Sequence, residues 1–323
     1  QVYASTRTHA DDLLRYAYIP PHWKGDLPPG IQRIDCYSTS LLLIGRTYFA
    51  SAADIGAARM LQHRYRLESL DGNQPTQAIQ YPQFDPAEPL SFYAILDEGL
   101  RQNPPPRRIT KPAKRFRELG IGGEQPLDLA TLDPAIRRGL TRGLEAGRQQ
   151  VETCKQQLTR KTNGWRYPPW HIGLMGTNYC ERAAIASLHT GFNSPAECLY
   201  MACREDANGQ PLHSKNTYRL QFPKGALPPA YAFWSLTVYH WPELTVAAND
   251  LNRLSLRSTN PALQFATDGS LEIHLGPDSP GADRESNWLP TPEGEFQVVL
   301  RVYNPHLQPV RSGWTPPLVE LVE

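Results

Sequence analysis

Arginine and tyrosine side chains near the middle of the chain are the first candidates for binding a small ligand. Tyr179 and Arg182 lie three residues apart in a segment with helical spacing, so they share one face of the predicted helix. If this face is buried, Arg182 needs a carboxylate, backbone carbonyls or a bound anion, because an unpaired buried charge is costly. Two interpretations stay open: an internal ion pair or carbonyl clamp, and a site for the carboxylate or phosphate of a ligand.

Two predicted strands carry aromatic and polar side chains. Alternation along residues 231–240 places Trp234, Leu236, Val238 and His240 on one face, and Phe233, Ser235, Thr237 and Tyr239 on the other. In the last long strand, Arg301 shares a face with Tyr303. Such faces either meet solvent or line a pocket, since antiparallel sheets often keep one wet face. If they converge with Arg182, they form a pocket with aromatic walls and cationic anchors, suited to a small organic acid or a phosphate ester.

Two predicted loops add candidates, since binding groups often lie in loops on a rigid scaffold. Arg253 follows Asn252 in one loop, and Asn287 precedes Trp288 in the other. The other interpretation is turn structure, with the asparagine bonding local backbone groups and Trp288 covering the edge of the core. The candidate ligand-binding residues are therefore Tyr179, Arg182, Trp234, Arg253, Asn287, Trp288 and Arg301.

Motifs for other chemistry are absent from the sequence. The nine histidines occur singly, without H-x-H or H-E-x-x-H spacing. His240 and His274 could pair only if distant strands bring them together, and core or surface positions are favoured for both. No G-x-S-x-G, G-x-G-x-x-G or P-loop pattern occurs. We predict no metal and no cofactor, and whether the protein is an enzyme stays open.

Composition and charge exclude two classes of partner. The chain has 323 residues, 40% of them hydrophobic and 20% charged, which is typical of a globular protein with a buried core. A net charge of +1 provides no long-range field for a polyanion, so we predict no nucleic-acid partner. No apolar run reaches the roughly 18 residues that a membrane-spanning helix needs.

The five cysteines show no metal-ligand spacing. Cys198 and Cys203 could pair with each other only if the backbone folded back between them, and we favour two half-buried thiols. The sequence leaves the disulfide state of the other cysteines open.

The elements that must position these residues change in character along the chain. Strands are predicted at 31–36 and 41–47, a helix at 51–66, and a helical region from 89 to 161 whose clearest helix opens at Asp133 and Pro134. Beyond residue 163 the pattern is β, apart from one helix at 178–189. The predicted strands there are 197–203, 217–222, 230–240, 263–266, 271–275 and 296–303, with a hairpin signal at Asp268 and Gly269.

Eight short blocks resemble two families of unknown function. YAFWSLTVY (231–239), DSPG (278–281), NWLP (287–290) and WTPP (314–317) resemble domain of unknown function 1214. VYAS (2–5), WKG (23–25), LP (27–28) and GRT (45–47) are similar to the second half of domain of unknown function 1254. The resemblance covers nearly the whole chain.

The resemblance implies a mainly β fold with a helical subdomain. It implies a partial immunoglobulin-like β-sandwich at 1–85, a small helical unit at 86–162 and a jelly-roll β-sandwich at 163–323. It also implies that strands upstream of residue 2 belong to the first sandwich. A cleaved segment, a second chain or a homo-oligomer would then complete it, because unpaired strand edges tend to pair. By family analogy the periplasm is favoured over the cytoplasm.

Two functions follow as hypotheses. The first is a small-molecule-binding protein or enzyme that holds a small carboxylate or phosphate in a jelly-roll pocket through Arg182, Arg253 or Arg301. The alternative is a non-catalytic cell-envelope or assembly protein whose β-sandwiches serve as interaction surfaces.

Overall fold

The computed structural model describes residues 15–49, 52–70, 72, 80–104, 110–188, 191–246 and 248–322. The block at 2–5 lies outside these residues, as do Ser51, Pro105, Pro106 and His189. The chain divides into two compact units. The N-terminal unit contains residues 2–48 and 56–152, and the C-terminal unit contains 49–55 and 153–323. Most residues of the first two predicted domains thus fall in the N-terminal unit. The division into three domains stays a prediction.

The N-terminal unit contains one small sheet. Strand β1 (Arg15–Ile19) pairs in parallel with β2 (Ile31–Asp35), which confirms the strand predicted at 31–36. The strand predicted at 41–47 is wrong, because these residues have no regular structure and no strand beside them in the described residues. Four consecutive apolar residues at 41–44 show no period of two, and their side chains are 50–69% exposed.

The other regular elements described in this unit are helices. They are α1 (Ile55–His63) except its first residue, α2 (Ser91–Gln102), α3 (Thr110–Arg117) and the first 19 residues of α4 (Pro134–Leu158). A 3-10 turn at Ala52–Asp54, which belongs to the C-terminal unit, precedes α1. The predicted start of α4 is confirmed: the Asp133 carboxylate accepts hydrogen bonds from the backbone N–H groups of Ala135 (2.7 Å) and Ile136 (3.3 Å). None of the described helices is long and apolar enough to cross a membrane.

The C-terminal unit is built from two sheets and is mainly β. One has six strands in the order β3-β4-β5-β11-β7-β8, and the other has four in the order β10-β9-β6-β12. Two helices accompany them, α5 (Tyr179–Leu188) and α6 (Leu307–Arg311), with a 3-10 turn at Glu285–Asn287. The strands are β3 (Arg160–Thr162), β4 (Trp165–Tyr167), β5 (Cys198–Cys203), β6 (Thr217–Phe222), β7 (Ala230–His240), β8 (Ser255–Arg257), β9 (Leu271–Gly276), β10 (Trp288–Pro290), β11 (Phe296–Pro305) and β12 (Val319–Val322).

One apolar core joins the two sheets. Phe222 of the four-stranded sheet packs on Trp234 of the six-stranded sheet at 6.1 Å between ring centroids, and Tyr218 meets Phe296 at 5.8 Å. All four side chains belong to one buried cluster. Residues that alternate with these along each strand point away from the core. The jelly-roll and immunoglobulin-like descriptions stay proposals.

Cysteine pairing is settled within the C-terminal unit. A disulfide joins Cys154, in the last turns of α4, to Cys180 at the start of α5. Cys198 and Cys203 are thiols outside any disulfide, as predicted, although both are fully buried rather than half-buried. Burial raises the pKa of the Cys203 thiol to about 11, so this group is a poor nucleophile.

Reducing the Cys154–Cys180 disulfide should destabilise the C-terminal unit. The bond spans 26 residues, and closing a loop of that size stabilises by about 3 kcal/mol. Thermal unfolding with a phosphine reductant should therefore show a midpoint lowered by roughly 6–12 °C. The double variant Cys154→Ser/Cys180→Ser should unfold at the lower temperature with or without reductant. A wild-type midpoint that ignores the reductant would contradict the prediction.

Candidate functional site

Two arginines flank one serine on the face of the six-stranded sheet that points away from the core. In the strand register, Arg301 of β11 lies opposite Ser235 of β7, and Ser235 lies opposite Arg257 of β8. Tyr200 of β5 is the partner of Arg301 on its other side. We call these four residues the arginine row. Because neighbouring strands are about 5 Å apart, the Cα atoms of the two arginines are roughly 10 Å apart.

Neutral groups hold the guanidinium of Arg301. Its Nη2 donates a hydrogen bond to the hydroxyl of Tyr239 (2.8 Å), and Nη1 donates to Thr237 Oγ1 (3.4 Å). The Arg301 Cζ lies 5.4 Å from the ring centroid of Tyr239 and 6.0 Å from that of Tyr200. The hydroxyl of Tyr200 accepts a hydrogen bond from Asn193 Nδ2 (2.7 Å). The side chain is therefore oriented by its surroundings, and none of the contacts given for it among the described residues is with a carboxylate.

Arg257 is held in a similar way by Phe49. The guanidinium lies 5.0 Å from the Phe49 ring centroid, and Nη1 donates to the Phe49 carbonyl oxygen at 3.2 Å. Both Arg257 and Arg301 are half-buried. Within the part of the chain that the structure describes, neither has a carboxylate within 4 Å, in contrast to Arg219, which pairs with Glu320 at 2.7 Å. Two half-buried cations without a counter-ion favour binding of an anion beside them.

Ser235 lies between the two arginines in the strand register. The residue is only 6% exposed, and its side chain makes no hydrogen bond to any described residue. Thr237 and Val299, which follow on the same face, are 8% exposed. The polar face predicted on β7 is thus largely covered here and is not an open wet surface. The Ser235 hydroxyl can donate a hydrogen bond to a ligand oxygen placed over it.

An aromatic pair lies beside the arginine row. Tyr303 of β11 is directly opposite Phe233 of β7, and their rings stack at 4.3 Å between centroids with an angle of 20°. Each lies two residues from a member of the arginine row and points to the same face. Side chains two residues apart on a strand are about 7 Å apart. Charged and apolar surfaces therefore adjoin on this face.

The Arg182 face of α5 is not buried, so the condition under which Arg182 would need a buried partner is not met. The buried residues of α5 are Ala184 and Ile185, whereas Tyr179 and Arg182 are exposed. Arg182 Nη1 donates to the Gly176 carbonyl oxygen at 3.4 Å, and its Cζ lies 5.8 Å from the Tyr179 ring centroid. Helical spacing identified which residues share a face, but alanines are present on both faces, so the pattern did not indicate which one is buried.

Asn287 has a structural role, because its side chain bonds to backbone groups of other described residues. Its Oδ1 accepts from the backbone N–H of Gln264 (2.9 Å), and its Nδ2 donates to the carbonyl oxygens of Gln264 (2.7 Å) and Glu272 (2.9 Å). The side chain is 7% exposed. These contacts join a loop to β9 and link backbone groups 15 and 23 residues away, whereas the interpretation as turn structure expected local backbone partners.

Arg253 and Trp288 also support the backbone. Trp288 Nε1 donates to the Gly276 carbonyl oxygen at 2.9 Å. Arg253 Nη1 donates to the carbonyl oxygens of Trp288 (3.2 Å) and Glu285. Trp234 is 3% exposed and lies in the core, on the opposite face of β7 from Ser235. Of the predicted ligand-binding residues, only Arg301 belongs to the arginine row.

The histidines do not form a site together. His274 lies on the outer face of the four-stranded sheet with Nε2 at 3.2 Å from Glu272, and His240 ends a strand of the other sheet. Burial lowers the pKa of His274, and the neighbouring Glu272 opposes this effect. In the residues described, no group of three or more His, Cys, Asp or Glu could hold a metal ion.

Three members of the arginine row were not predicted as site residues. Ser235 was assigned to the polar face of β7, but Arg257 and Tyr200 were not considered. Arg257 ends a strand of three residues, which is too short to show a period of two. The sequence signal that could have identified the row is the presence of one arginine on the polar face of each of two strands. Their alignment depends on a register that links residues far apart in the chain.

Comparison with known proteins agrees with the motif blocks. The model "Protein of unknown function (DUF1254)" matches residues 1–69, and "Protein of unknown function (DUF1214)" matches 197–307, which include the whole arginine row. No curated protein matches the chain significantly.

Two crystal structures show similarity. The VPA0106 protein from Vibrio parahaemolyticus aligns with a TM-score of 0.67 and 19% identity, over 95% of this chain and 75% of that chain, which indicates a shared fold. An uncharacterised protein from Burkholderia cenocepacia aligns with a TM-score of 0.30 and 17% identity, over 66% of this chain and 48% of that one. The chain therefore contains a DUF1254 match followed by a DUF1214 match, the order that its motifs indicated.

Proposed function

We propose that the protein binds a small anionic ligand, a carboxylate or a phosphate, at the arginine row. One observation carries the proposal: Arg301 and Arg257 flank Ser235 in direct strand register, and neither arginine has a carboxylate within 4 Å among the described residues. An anion over Ser235 would accept hydrogen bonds from both guanidiniums and from the hydroxyl. The planar fork of arginine suits the paired oxygens of carboxylates and phosphates.

Pre-orientation supports useful affinity at this site. Tyr239 and Thr237 hold one guanidinium, and Phe49 holds the other, so little side-chain entropy remains to be lost on binding. Each hydrogen bond to a charged group contributes about 1.5–3 kcal/mol. The contacts of Ser235 include no histidine or carboxylate in the described residues that could activate its hydroxyl as a nucleophile. The site therefore favours binding over serine-based catalysis.

Replacing Arg301 with glutamine should weaken phosphate and acetate binding by about 10- to 100-fold. The substitution removes one guanidinium from the anion and keeps a polar side chain that can still reach Tyr239. Isothermal titration of the intact chain with inorganic phosphate and with acetate measures the effect. Arg182→Gln is the matched control, since this exposed arginine lies outside the arginine row. The proposal fails if both variants weaken binding equally, or if the wild-type protein binds neither anion.

The alternative hypothesis, an envelope or assembly protein, is favoured by one feature of the N-terminal unit. Leu41, Leu42, Leu43 and Ile44 are 50–69% exposed, and contiguous exposed apolar side chains often mark interaction sites. The arginine row belongs to the other unit, so the two functions do not exclude each other. The Cys154–Cys180 disulfide supports the expectation of an oxidising compartment such as the periplasm.

A further inference from the structure

The aromatic pair next to the arginine row bears on the chemical class of the ligand. Phe233 and Tyr303 are half-buried, and their rings stack on the same face that carries Ser235. Each ring belongs to a residue that lies two positions, or about 7 Å, along its strand from a residue of the arginine row. A ligand held by its charged group at Ser235 would therefore have an apolar surface within reach of its next few atoms.

The direction of Arg301 keeps the charge away from this apolar surface. Its guanidinium contacts Thr237 and Tyr239, which follow Ser235 along β7, whereas Phe233 precedes it. The face is thus ordered along β7 as an aromatic residue, a hydroxyl and then the Arg301 cation. A second anionic group placed over the aromatic pair would lose its hydration without contacting the Arg301 guanidinium. This cost disfavours ligands with two separate anionic groups.

We infer that the ligand is amphiphilic with a single anionic group, a carboxylate or phosphate at the arginine row, and an apolar chain or ring against Phe233 and Tyr303. This inference rests on the proposed function, since it extends the ligand from the same anion position. Burying apolar carbons against aromatic rings adds affinity in proportion to the area removed from water. The apolar body, rather than the shared charged group, then sets the specificity.

A probe series on the intact chain tests the inference. Isothermal titration at constant ionic strength compares acetate, succinate and octanoate. All three have a carboxylate, which is attached to a methyl group in acetate, to a second carboxylate through a short chain in succinate and to a longer alkyl chain in octanoate. Octanoate should bind at least tenfold more tightly than acetate, because part of its chain leaves water. Phe233→Thr should remove most of this advantage while leaving the dissociation constant for acetate within about twofold. Phe233→Leu keeps an apolar side chain and should retain the advantage, which separates lost surface from misfolding.

The outcomes distinguish this inference from the proposed function. If octanoate and acetate bind equally and Arg301→Gln weakens both, the anion site stands and the amphiphilic ligand class is overturned. Tighter binding of succinate than of octanoate also overturns it, in favour of a dianion. If neither acetate nor octanoate binds, the proposed function itself fails. An octanoate advantage that survives Phe233→Thr shows that the chain lies elsewhere and overturns the assignment of the apolar surface.

Discussion

Replacing Ser235 with aspartate should abolish binding of phosphate and acetate while stabilising the protein relative to asparagine at the same position. The new carboxylate would lie between Arg301 and Arg257 and would supply the counter-ion that the described residues lack. Hydrogen bonds to charged groups contribute about 1.5–3 kcal/mol each. The free energy of unfolding of the aspartate variant should therefore be higher than that of the asparagine variant by about 2 kcal/mol. Urea unfolding measures the stability, and isothermal titration measures the binding.

The asparagine variant is the matched control because it has the same shape without the charge. Ser235 is 6% exposed, so either replacement carries some cost of overpacking that the comparison cancels. If the aspartate variant is the less stable of the two, the arginines do not converge on this position, because an unpaired buried carboxylate is destabilising. Anion binding that persists in the aspartate variant would place the ligand elsewhere.

Replacing Asn287 with leucine should lower the free energy of unfolding by about 3–5 kcal/mol without changing the dissociation constant for phosphate. The change removes three hydrogen bonds and leaves the backbone groups of Gln264 and Glu272 without these partners. Each buried group left unsatisfied costs about 1–3 kcal/mol. Urea unfolding gives the stability, and titration at a temperature where the variant is folded gives the affinity.

An exposed asparagine provides the comparison for this result. Asn208→Leu should change stability by less than about 0.5 kcal/mol, as surface substitutions usually do. The structural role of Asn287 would be contradicted if Asn287→Leu preserved stability and weakened phosphate binding. That result would return Asn287 to the ligand site.

Long elements with local signals were predictable from the sequence. The start of α4 was identified because an aspartate followed by proline satisfies the first N–H groups of a helix within a few residues. Strands β6 and β7 occupy the predicted ranges, because runs of six to eleven residues show a clear pattern. A turn forms at Asp268 and Gly269, where the carboxylate accepts a hydrogen bond from Ser270 N–H at 2.8 Å, but the predicted hairpin is wrong because residues 263–266 are not a strand.

Short elements were not predictable. Strands β8 and β10 have three residues each and were not predicted, and the strand predicted at 263–266 has no strand structure. Three residues show no period, so their conformation depends on which longer strand lies beside them. β8, for example, is a strand because it pairs with the middle of β7.

By itself, the sequence determined the family, the β character of the C-terminal half and the division of β7 into a core face and a polar face. These properties follow from local motifs and from a period of two. Only the tertiary structure decided that the exposed Arg182 lies apart from the arginine row and that Arg301 and Arg257 flank Ser235. Strand register and helix burial depend on contacts between residues far apart in the chain, and a local pattern contains no information about those contacts.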